Sequence, residues 1–353
     1  MGLKIIAFTR YGRIGASSRV RFLQYVPHLE QCGAQIRAYP LFPNAYLAQL
    51  YGSGTRSFLT ITAAMIRRVA RALAATDADL IWLQREILPF LPFAAEDLLL
   101  SGKPLVVDFD DAHHLYYRNA HSSFARRIYG DKIDRLMRRA AVVTVGNQTL
   151  FDYAAAAGAK DVRFVPSAVD VERFKDQASA ADFTVGWIGT PVTAREALPL
   201  IAEPLARFLN ETGTRCVLVG AAPNQFPGLK AEYVPWSEAT EADVLSRMSV
   251  GLCPLEDTPW NRGKSGYKII QYMAAGRATL TSPVGIAASL VESGATGFPC
   301  TTPDDWYSYL MRLYREPALC AALGARAHEI AAQKYDTAVV AATLYDLFAA
   351  IAK

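Results

Sequence analysis

The sequence predicts an α/β protein made of two doubly wound domains, each built on a parallel sheet. Short apolar runs alternate with helical patterns through the first half of the chain, and the alternation begins again in the second half. Such alternation is typical of a parallel sheet covered by helices on both faces. With 353 residues, 52% of them hydrophobic, the chain is long enough to bury two cores of ordinary size.

The apolar runs predict the strands. In the first half they cover residues 3–8, 35–38, 80–83, 105–107, 142–145 and 163–165. In the second half they cover residues 183–188, 215–219, 232–234, 250–253 and 279–281. Between the two series, a proline after a strand and a polar, alanine-rich segment indicate a domain boundary. We expect domains over 1–170 and 183–335, a linker over 171–182, and a C-terminal helix over 336–353 that packs back toward the first domain.

Charge is divided unevenly along the chain. Residues 1–170 hold 21 Lys and Arg against 14 Asp and Glu, a net charge of +7, whereas the remainder holds 16 against 19, or −3. This asymmetry suits an anionic membrane surface or a phosphorylated substrate, and it is too small for a dedicated DNA-binding protein.

Cysteine usage and hydropathy predict the compartment. The five cysteines are scattered without C-x-x-C spacing, which indicates neither a disulfide framework nor a zinc site and favours a reducing environment. The N-terminal apolar run is too short for a signal peptide, and no run approaches about 18 apolar residues. We expect a cytoplasmic protein that works at the inner face of the membrane.

The turns that follow the strands carry the candidate functional residues, because open parallel sheets bind ligands beyond the carboxyl ends of their strands. Two such domains facing each other would form one cleft. Gly15 and Arg19 follow the first strand at the start of a helix, where a glycine lets the backbone approach a diphosphate or a sugar. Arg85 and Glu86 follow the third strand. The alternatives are a plain solvated turn and a surface salt bridge.

The fourth strand ends in the densest group of titratable residues, Asp108-Phe109-Asp110-Asp111-Ala112-His113-His114. Carboxylates and imidazoles this close together shift one another's pKa values, a cost that usually persists where function needs it. We take Asp110, Asp111 and His113 as candidate catalytic residues. The Asp-x-Asp pattern also supports a competing hypothesis, in which the cluster from Asp108 to Asp111, joined by His113, holds a divalent cation.

The second half repeats the pattern of strand, glycine turn and helix. Gly189 and Thr190 precede a helix that carries Arg195, which is well placed to reach a phosphate. Val234 and Trp236 end another strand, where the indole either flanks a base or packs in the core.

The segment GKSGYKIIQYMAAG, residues 263–276, begins like the end of a P-loop. The first glycine of that motif would fall at position 258, which is Thr258, and Pro259 removes a backbone donor. The segment instead predicts an anion site where a helix begins. The residues of this segment that we expect at a donor phosphate are Gly263, Lys264, Ser265, Gly266 and Lys268.

The order of several short motifs resembles the family 4 glycosyltransferases. The motifs are VPSAVDVERF, GWIGT, LVGAA, KIIQYMAAG, TSPVG and GATGF. The resemblance covers most of the chain and implies the GT-B fold, in which two Rossmann-like domains face each other across a cleft. It further implies a glycosyltransferase of the hexosyltransferase type that uses a nucleotide-sugar donor with retention, and no bound metal or other cofactor. Lys264, Arg195 and the helix N-termini would then neutralise the departing diphosphate.

The sequence departs from that family at two glutamates, which contact the donor sugar and the ribose. Laying QYMAAG on the family's second-glutamate segment places Gln271 at the ribose contact and Gly263 at the sugar contact. The amide of Gln271 still offers a donor and an acceptor, whereas Gly263 has no side chain. Three alternatives therefore stay open: a metal-dependent transferase, a nucleotide-sugar epimerase, and a non-catalytic sugar-nucleotide-binding protein of the same fold.

The acceptor side is expected in the first half, at Arg19, Arg85 and Glu86. Residues 55–75 predict a basic amphipathic helix, and residues 124–139 predict another. Such helices lie on anionic membranes, or they pack an apolar face on the sheet and leave their arginines in water. We expect a glycan or lipid-linked acceptor in polysaccharide or glycoconjugate biosynthesis, peripheral association with an anionic membrane, and no nucleic-acid partner.

Overall fold

A computed structural model describes residues 2–53, 57–100, 102–174 and 182–352. The chain divides into two compact units. Unit 1 contains Met1–Ser167, Gly263–Ser265 and Thr337–Lys353, and unit 2 contains Ala168–Arg262 and Gly266–Asp336. Each unit has its own six-stranded sheet. The predicted α/β class with two doubly wound parallel sheets is confirmed. Residues 175–181 of the predicted linker lie outside the described residues.

The sheet of unit 1 has the order β2-β1-β3-β4-β5-β6, and its neighbouring strands are parallel. The strands are β1 (Lys4–Tyr11), β2 (Gln35–Phe42), β3 (Leu80–Gln84), β4 (Leu105–Phe109), β5 (Val142–Val145) and β6 (Val162–Phe164). The strand order reverses between β1 and β3. The turns that follow these two strands therefore diverge and leave a crevice at the carboxyl edge, where ligands bind in such sheets.

Helices surround this sheet. They are α1 (Ala16–Ser18), α2 (Val26–Gln31), α3 (Asn44–Ser53), α4 (Phe58–Leu73), α5 (Phe93–Leu99), α6 (His114–Arg118), α7 (Ser123–Tyr129), α8 (Lys132–Arg139) and α9 (Gln148–Ala156). A π-helical turn, Arg19–Leu23, follows α1. The single basic helix expected over 124–139 is wrong, because α7 ends at Tyr129 and α8 begins after Asp131.

The sheet of unit 2 has the order β12-β11-β10-β7-β8-β9. The strands are β7 (Thr184–Ile188), β8 (Arg215–Val219), β9 (Glu232–Val234), β10 (Val250–Cys253), β11 (Ala278–Thr281) and β12 (Gly297–Pro299). Its order reverses between β7 and β10. The sequence does not predict β12, a three-residue edge strand that contains a glycine and a proline, both of which weaken a strand pattern.

The helices of unit 2 follow the predicted alternation. They are α10 (Pro191–Ala197), α11 (Ala202–Thr212), α12 (Glu241–Ser246), α13 (Pro259–Arg262), α14 (Tyr267–Ala274), α15 (Ala287–Leu290), α16 (Pro303–Arg315) and α17 (Pro317–Ile330). The apolar face of α14 is buried, and Gly276 follows the helix with a left-handed φ of +68°, as a C-terminal glycine does.

The last helix, α18 (Thr337–Ile351), belongs to unit 1. The ring of Phe348 packs on Trp82 of β3 with 5.1 Å between centroids, and Trp82 stacks on Phe22 at 4.0 Å. All three side chains are buried, so α18 covers part of the sheet. No helix within the described ranges is long and apolar enough to cross a membrane.

Candidate functional site

The carboxyl ends of β3 and β4 bring Arg85 together with two other predicted site residues, Asp110 and Asp111. Its guanidinium donates to Asp110 at 2.8 and 3.2 Å and to Asp111 at 3.1 Å. Its backbone N–H donates to the carbonyl of Asp108 at 3.1 Å. Arg85 adopts a left-handed φ of +65°, which costs a non-glycine residue about 1–3 kcal/mol and persists where the surroundings fix it. The hydrogen bonds to β4 supply that constraint.

Asp110 and Asp111 differ in their electrostatics. Burial favours the neutral form of Asp110, but the charges of Arg85 and Arg21 outweigh it and lower the pKa. Asp111 is subject to burial and also to the negative charge of Asp110, which together raise its pKa to about 6 against the opposing charges of Arg85 and Lys264. The Asp111 side chain is 29% exposed and that of Asp110 11%. Asp111 is therefore the more accessible carboxylate and the one that changes protonation near neutral pH.

His113 is held by Glu86. Its Nε2 lies 3.1 Å from a Glu86 oxygen, and Glu86 also accepts from the Tyr117 hydroxyl at 2.7 Å and from the Lys132 ammonium at 2.6 Å. Burial would raise the pKa of Glu86, but the bond from His113 and the charge of Lys132 lower it to about 2. Since an ionised carboxylate can only accept, Nε2 carries the proton and Nδ1 is the acceptor of the ring.

The imidazole of His113 is neutral at physiological pH. Burial lowers its pKa, and the hydrogen bond to Glu86 opposes that shift only in part. Glu86 is itself buried and its oxygens face three donors. The expectation that Glu86 contacts an acceptor is not supported by this geometry, which instead makes Glu86 a positioning residue for His113.

Lys132 is a part of the site that the sequence analysis missed. It is fully buried, and its ammonium bonds Glu86 at 2.6 Å, the Leu88 carbonyl at 2.6 Å and Glu96 at 2.9 Å. Burial raises the pKa of Glu96 to about 7, although Lys132 opposes the shift. A signal was present in the sequence: Lys132 shares the buried face of α8 with positions 133, 136 and 137, a spacing that indicates an inward-facing lysine.

Asp108, which the competing hypothesis uses as a metal ligand, is surrounded by hydrogen-bond donors of the protein. Arg21 donates to its two oxygens at 2.9 and 2.5 Å, and the Thr144 hydroxyl donates at 2.7 Å. Arg21 also donates to the Val165 carbonyl at 2.8 Å. Over the described ranges, no three His, Cys, Asp or Glu side chains are arranged to hold a metal ion.

The segment Gly263–Ser265 belongs to unit 1 and contacts the same strand ends. The amide of Asn147 donates to the carbonyls of Gly263 at 2.6 Å and Lys264 at 3.2 Å. The Ser265 hydroxyl donates to the carbonyl of Asp110 at 2.6 Å. Because that hydroxyl is engaged, the expected bond from Ser265 to a phosphate is not supported. Asn147 was missed, since in the sequence it resembles an ordinary N-cap of α9.

Close packing explains the glycine at position 263. A Cβ added there would lie 2.6 Å from the Cβ of Ala112 and 3.0 Å from its nitrogen. Any side chain, including the glutamate that the resemblance to family 4 glycosyltransferases implies there, would push this segment away from the turn after β4. Lys264 stays beside the cluster, where its charge acts on Asp111.

The turn after β1 is fixed by its own hydrogen bonds. The Ser18 hydroxyl accepts from the Tyr11 N–H at 2.9 Å and donates to Gln84 at 2.6 Å. Gly15 is buried at the start of α1, and an added Cβ would lie 2.4 Å from Tyr11. Arg19 is buried and donates to a carbonyl of the same turn at 3.3 Å. The expectation that Arg19 contacts an acceptor stays a prediction.

In unit 2, Gly189 and Thr190 follow β7 at the point where the strand order reverses. The carbonyl of Gly189 would lie 2.1 Å from a Cβ at Gly220, so the turns after β7 and β8 touch through their backbones. Thr190 caps α10 in a reciprocal pair with Thr193. Arg195 is exposed on the second turn of that helix.

The other predicted residues of unit 2 make more contacts with the protein than Arg195 does. The Trp236 indole N–H donates to Glu241 at 2.7 Å, and both Val234 and Trp236 pack against the core. The Lys268 ammonium lies 4.2 Å from the centroid of the Trp187 ring. Two further expected donor residues belong to α14: Gly266, which begins it with a φ of +68°, and Gln271, which is buried.

Comparison with protein families finds one match, in the second half of the chain. Residues 182–316 match the family described as Glycosyl transferases group 1. A search of curated protein sequences found no match.

Solved structures match over nearly the whole chain. HepE of Anabaena in complex with UDP and glucose has 16% identity and a TM-score of 0.70, over 99% of this chain and 100% of its own. A glycosyltransferase from Rickettsia africae has 10% identity and a TM-score of 0.73, over 100% and 99%. Sucrose-phosphate synthase from Thermosynechococcus elongatus has 15% identity and a TM-score of 0.70, over 99% and 98%. The expected GT-B fold is confirmed.

Replacing Gly263 with alanine tests the close packing. Gly263→Ala should lower the free energy of unfolding by about 1–3 kcal/mol, the usual cost of overpacking, because Ala112 or the segment must shift. Urea denaturation followed by circular dichroism measures the change. The control is Gly228→Ala, where an added Cβ meets no described atom within 4 Å. Equal stability of the two variants would contradict the packing argument.

Replacing Asp111 with asparagine tests its raised pKa. The folded pKa of about 6 exceeds the unfolded value of about 3.9, so the wild type loses stability from this group as the pH rises from about 4 through 6. Asp111→Asn should therefore be more stable than the wild type by about 2 kcal/mol above pH 7, and the difference should vanish near about pH 4. Thermal unfolding across pH measures this.

The matched control for that experiment is Asp346→Asn, an exposed aspartate of α18 in the same unit. It should show no pH-dependent gain. An offset for Asp111→Asn that is the same at every pH would show that Asp111 titrates normally.

Proposed function

We propose that this chain is a glycosyltransferase that moves a hexose from a nucleotide-sugar donor to a glycan or lipid-linked acceptor, with retention. Its residues 182–316 match the family described as Glycosyl transferases group 1, and its fold is similar to that of HepE. The observation that carries the proposal is the cluster in unit 1, where Asp111, His113 and Lys264 lie at one sheet edge. It combines hydrogen-bonding groups for a sugar with a cation for a phosphate.

Lys264 serves the leaving group. In the transfer, the bond between the anomeric carbon and the diphosphate breaks, and the acceptor oxygen bonds to that carbon. Negative charge accumulates on the departing diphosphate, and a fixed cation stabilises it more in the transition state than in the bound donor. Arg195, exposed on the second turn of α10 in unit 2, is a second candidate cation for a donor phosphate.

Asp111 and His113 serve the sugar and the acceptor. A carboxylate with a pKa of about 6 is suited to accept the proton of an attacking hydroxyl near neutral pH. The neutral ring of His113 offers Nδ1 as an acceptor for a sugar hydroxyl. Asp110 remains ionised and keeps Arg85 in place.

We propose that the transfer needs no bound metal. The support is that Asp108 and Asp110, which the competing hypothesis uses as ligands, are occupied by Arg21 and Arg85. A metal-dependent transferase would lose activity with a chelator. An epimerase would convert the donor without releasing nucleotide diphosphate, and a non-catalytic protein would bind the donor unchanged.

The decisive assay follows release of nucleotide diphosphate from a panel of nucleotide sugars, with and without chelator. UDP-glucose comes first, because the similar HepE structure contains UDP and glucose.

Lys264→Ala should weaken donor binding by about 1.5–3 kcal/mol, the value of a charge-assisted contact. Lys230→Ala, an exposed lysine of unit 2, is the control. Unchanged donor affinity in Lys264→Ala would remove the phosphate assignment, and the anomeric configuration of the product, read by NMR, tests retention.

We also propose that the enzyme is cytoplasmic and associates with an anionic membrane through α4. The support is that this helix carries two groups of apolar side chains, one packed on the core and one exposed to solvent. Its residues at 61, 65 and 69 pack on the core of unit 1. Phe58, Leu59, Ile66 and Leu73 are instead 79%, 79%, 66% and 62% exposed, an apolar stripe beside basic residues that suits an anionic leaflet.

Flotation with phosphatidylglycerol vesicles tests this association. The double variant Ile66→Asp/Leu73→Asp should lose most vesicle binding, because two charges would replace the apolar contact. The double variant Val192→Asp/Val339→Asp changes exposed valines on α10 and α18 and should bind as the wild type does. A wild-type protein that does not float with anionic vesicles would contradict the proposal.

A further inference from the structure

A cavity beside α4 in unit 1 has a lining suited to an anion. It has a volume of about 180 Å³ and is lined by seven residues, of which three are Arg67, Arg68 and Arg71. Tyr39 and Pro40 of β2 form part of the opposite wall. Among the described residues, no Asp or Glu lines it. Three cations therefore share one small space with no carboxylate from the described ranges among them.

Arg67 and Arg71 are one helical turn apart, so their side chains extend from the same side of α4. Both are exposed, and the described part of the chain provides no ion pair for either. The guanidinium of Arg71 lies 4.7 Å from the centroid of the Tyr39 ring, which holds it at the wall of the cavity. Both arginines are available to a ligand that enters from solvent.

Arg68 is the buried member of the group and is only 3% exposed. Its Nη2 donates to the carbonyl of Thr9, and its guanidinium lies 5.0 Å from the centroid of the Phe8 ring. Its Nη1 is buried and has no hydrogen-bond partner among the described residues. A buried donor left unpaired costs about 1–3 kcal/mol, and more when it is charged, so this atom indicates a missing acceptor.

The electrostatic setting supports the same conclusion. Burial and the positive charge of Arg10 lower the pKa of Arg68 to about 9, and the charge of Glu96 offsets only part of that shift. The guanidinium is thus a cation whose charge the protein leaves under-compensated. A bound anion would supply the compensation and the missing hydrogen bond together.

We propose that this cavity binds a phosphate group of the acceptor substrate, an inference that rests on the proposed function and narrows its acceptor to a phosphorylated molecule. A phosphate ester carries a charge of about −1.5 to −2 at neutral pH and three acceptor oxygens. Guanidinium forks match such oxygens in pairs. A carboxylate, with one charge and two oxygens, would satisfy fewer of the three arginines.

The cavity admits the phosphate and leaves the rest of the acceptor outside it. Its prolines and alanine contribute apolar walls without hydrogen-bond donors for sugar hydroxyls. The phosphate has two possible sources: the headgroup of a lipid diphosphate and a soluble sugar phosphate. They share the chemistry that the arginines recognise, and they differ in whether the ligand arrives from a bilayer.

The first test is calorimetric titration of the full chain with inorganic pyrophosphate in the presence of saturating UDP, which fills the proposed donor site. Arg67→Gln/Arg71→Gln should weaken binding about tenfold or more, the loss expected for charge-assisted contacts. Arg127→Gln/Arg138→Gln removes two exposed arginines of α7 and α8 in the same unit, makes the same change in net charge, and should bind like the wild type. Equal binding by both double variants overturns the proposal. Arg68→Lys, which keeps the charge but loses the fork, should also weaken binding.

The second test separates the two sources. Glucose 6-phosphate is titrated in solution, and phosphatidylcholine vesicles containing polyprenyl diphosphate are used for flotation. The probe whose binding falls in Arg67→Gln/Arg71→Gln, and not in the control, identifies the source. Unchanged binding of both probes overturns the proposal.

UDP binding by the same variants separates a failure of the phosphate-cavity proposal from a failure of the proposed function. The arginine variants should bind UDP like the wild type, whereas Lys264→Ala should bind UDP weakly and retain its phosphate cavity. If no variant or wild-type protein transfers a sugar but the phosphate loss persists, the proposed function fails and the cavity assignment stands.

Discussion

The buried carboxylate of Glu86 is the contact on which the arrangement of unit 1 depends. It follows β3 and accepts from His113, Tyr117 and Lys132, so it joins the sheet to α6 and α8. Taking an ion out of water is costly unless its partners stay in place, and removal of one partner from such a pair typically costs about 3–5 kcal/mol. The position of His113 therefore depends on the ionised Glu86 and on the donors that hold Glu86 in place.

The same principle divides the carboxylates of this sheet edge into two kinds. Asp108 is paired with the buried Arg21, and Asp110 is paired with Arg85, so both carboxyl groups are held in place. Asp111 shares the Arg85 guanidinium with Asp110, and the negative charge of Asp110 raises the pKa of Asp111. One accessible group with a raised pKa, supported by rigid neighbours, is the arrangement that preorganised sites use.

The sequence predicts the strands and the location of the site well, because buried parallel strands are apolar runs and the turns after them carry ligand groups. The sequence does not predict which side chains form ion pairs or hydrogen bonds with one another. Arg21 and Arg85 look alike in the sequence, yet one anchors Asp108 and the other fixes Asp110. The role of Gly263 depends on its approach to Ala112, a contact between residues 151 positions apart (263 − 112) that no local pattern contains.

Ionised Glu86 holds His113 as a neutral ring with the proton on Nε2. Nitrogen-15 NMR of histidine-labelled protein observes this proton. The chain has five histidines, and the His113 signals are those lost from a His113→Gln spectrum. We expect a protonated Nε2, an unprotonated Nδ1 and a titration midpoint below the ordinary 6.5. A proton on Nδ1, or a midpoint at or above 6.5, would contradict it.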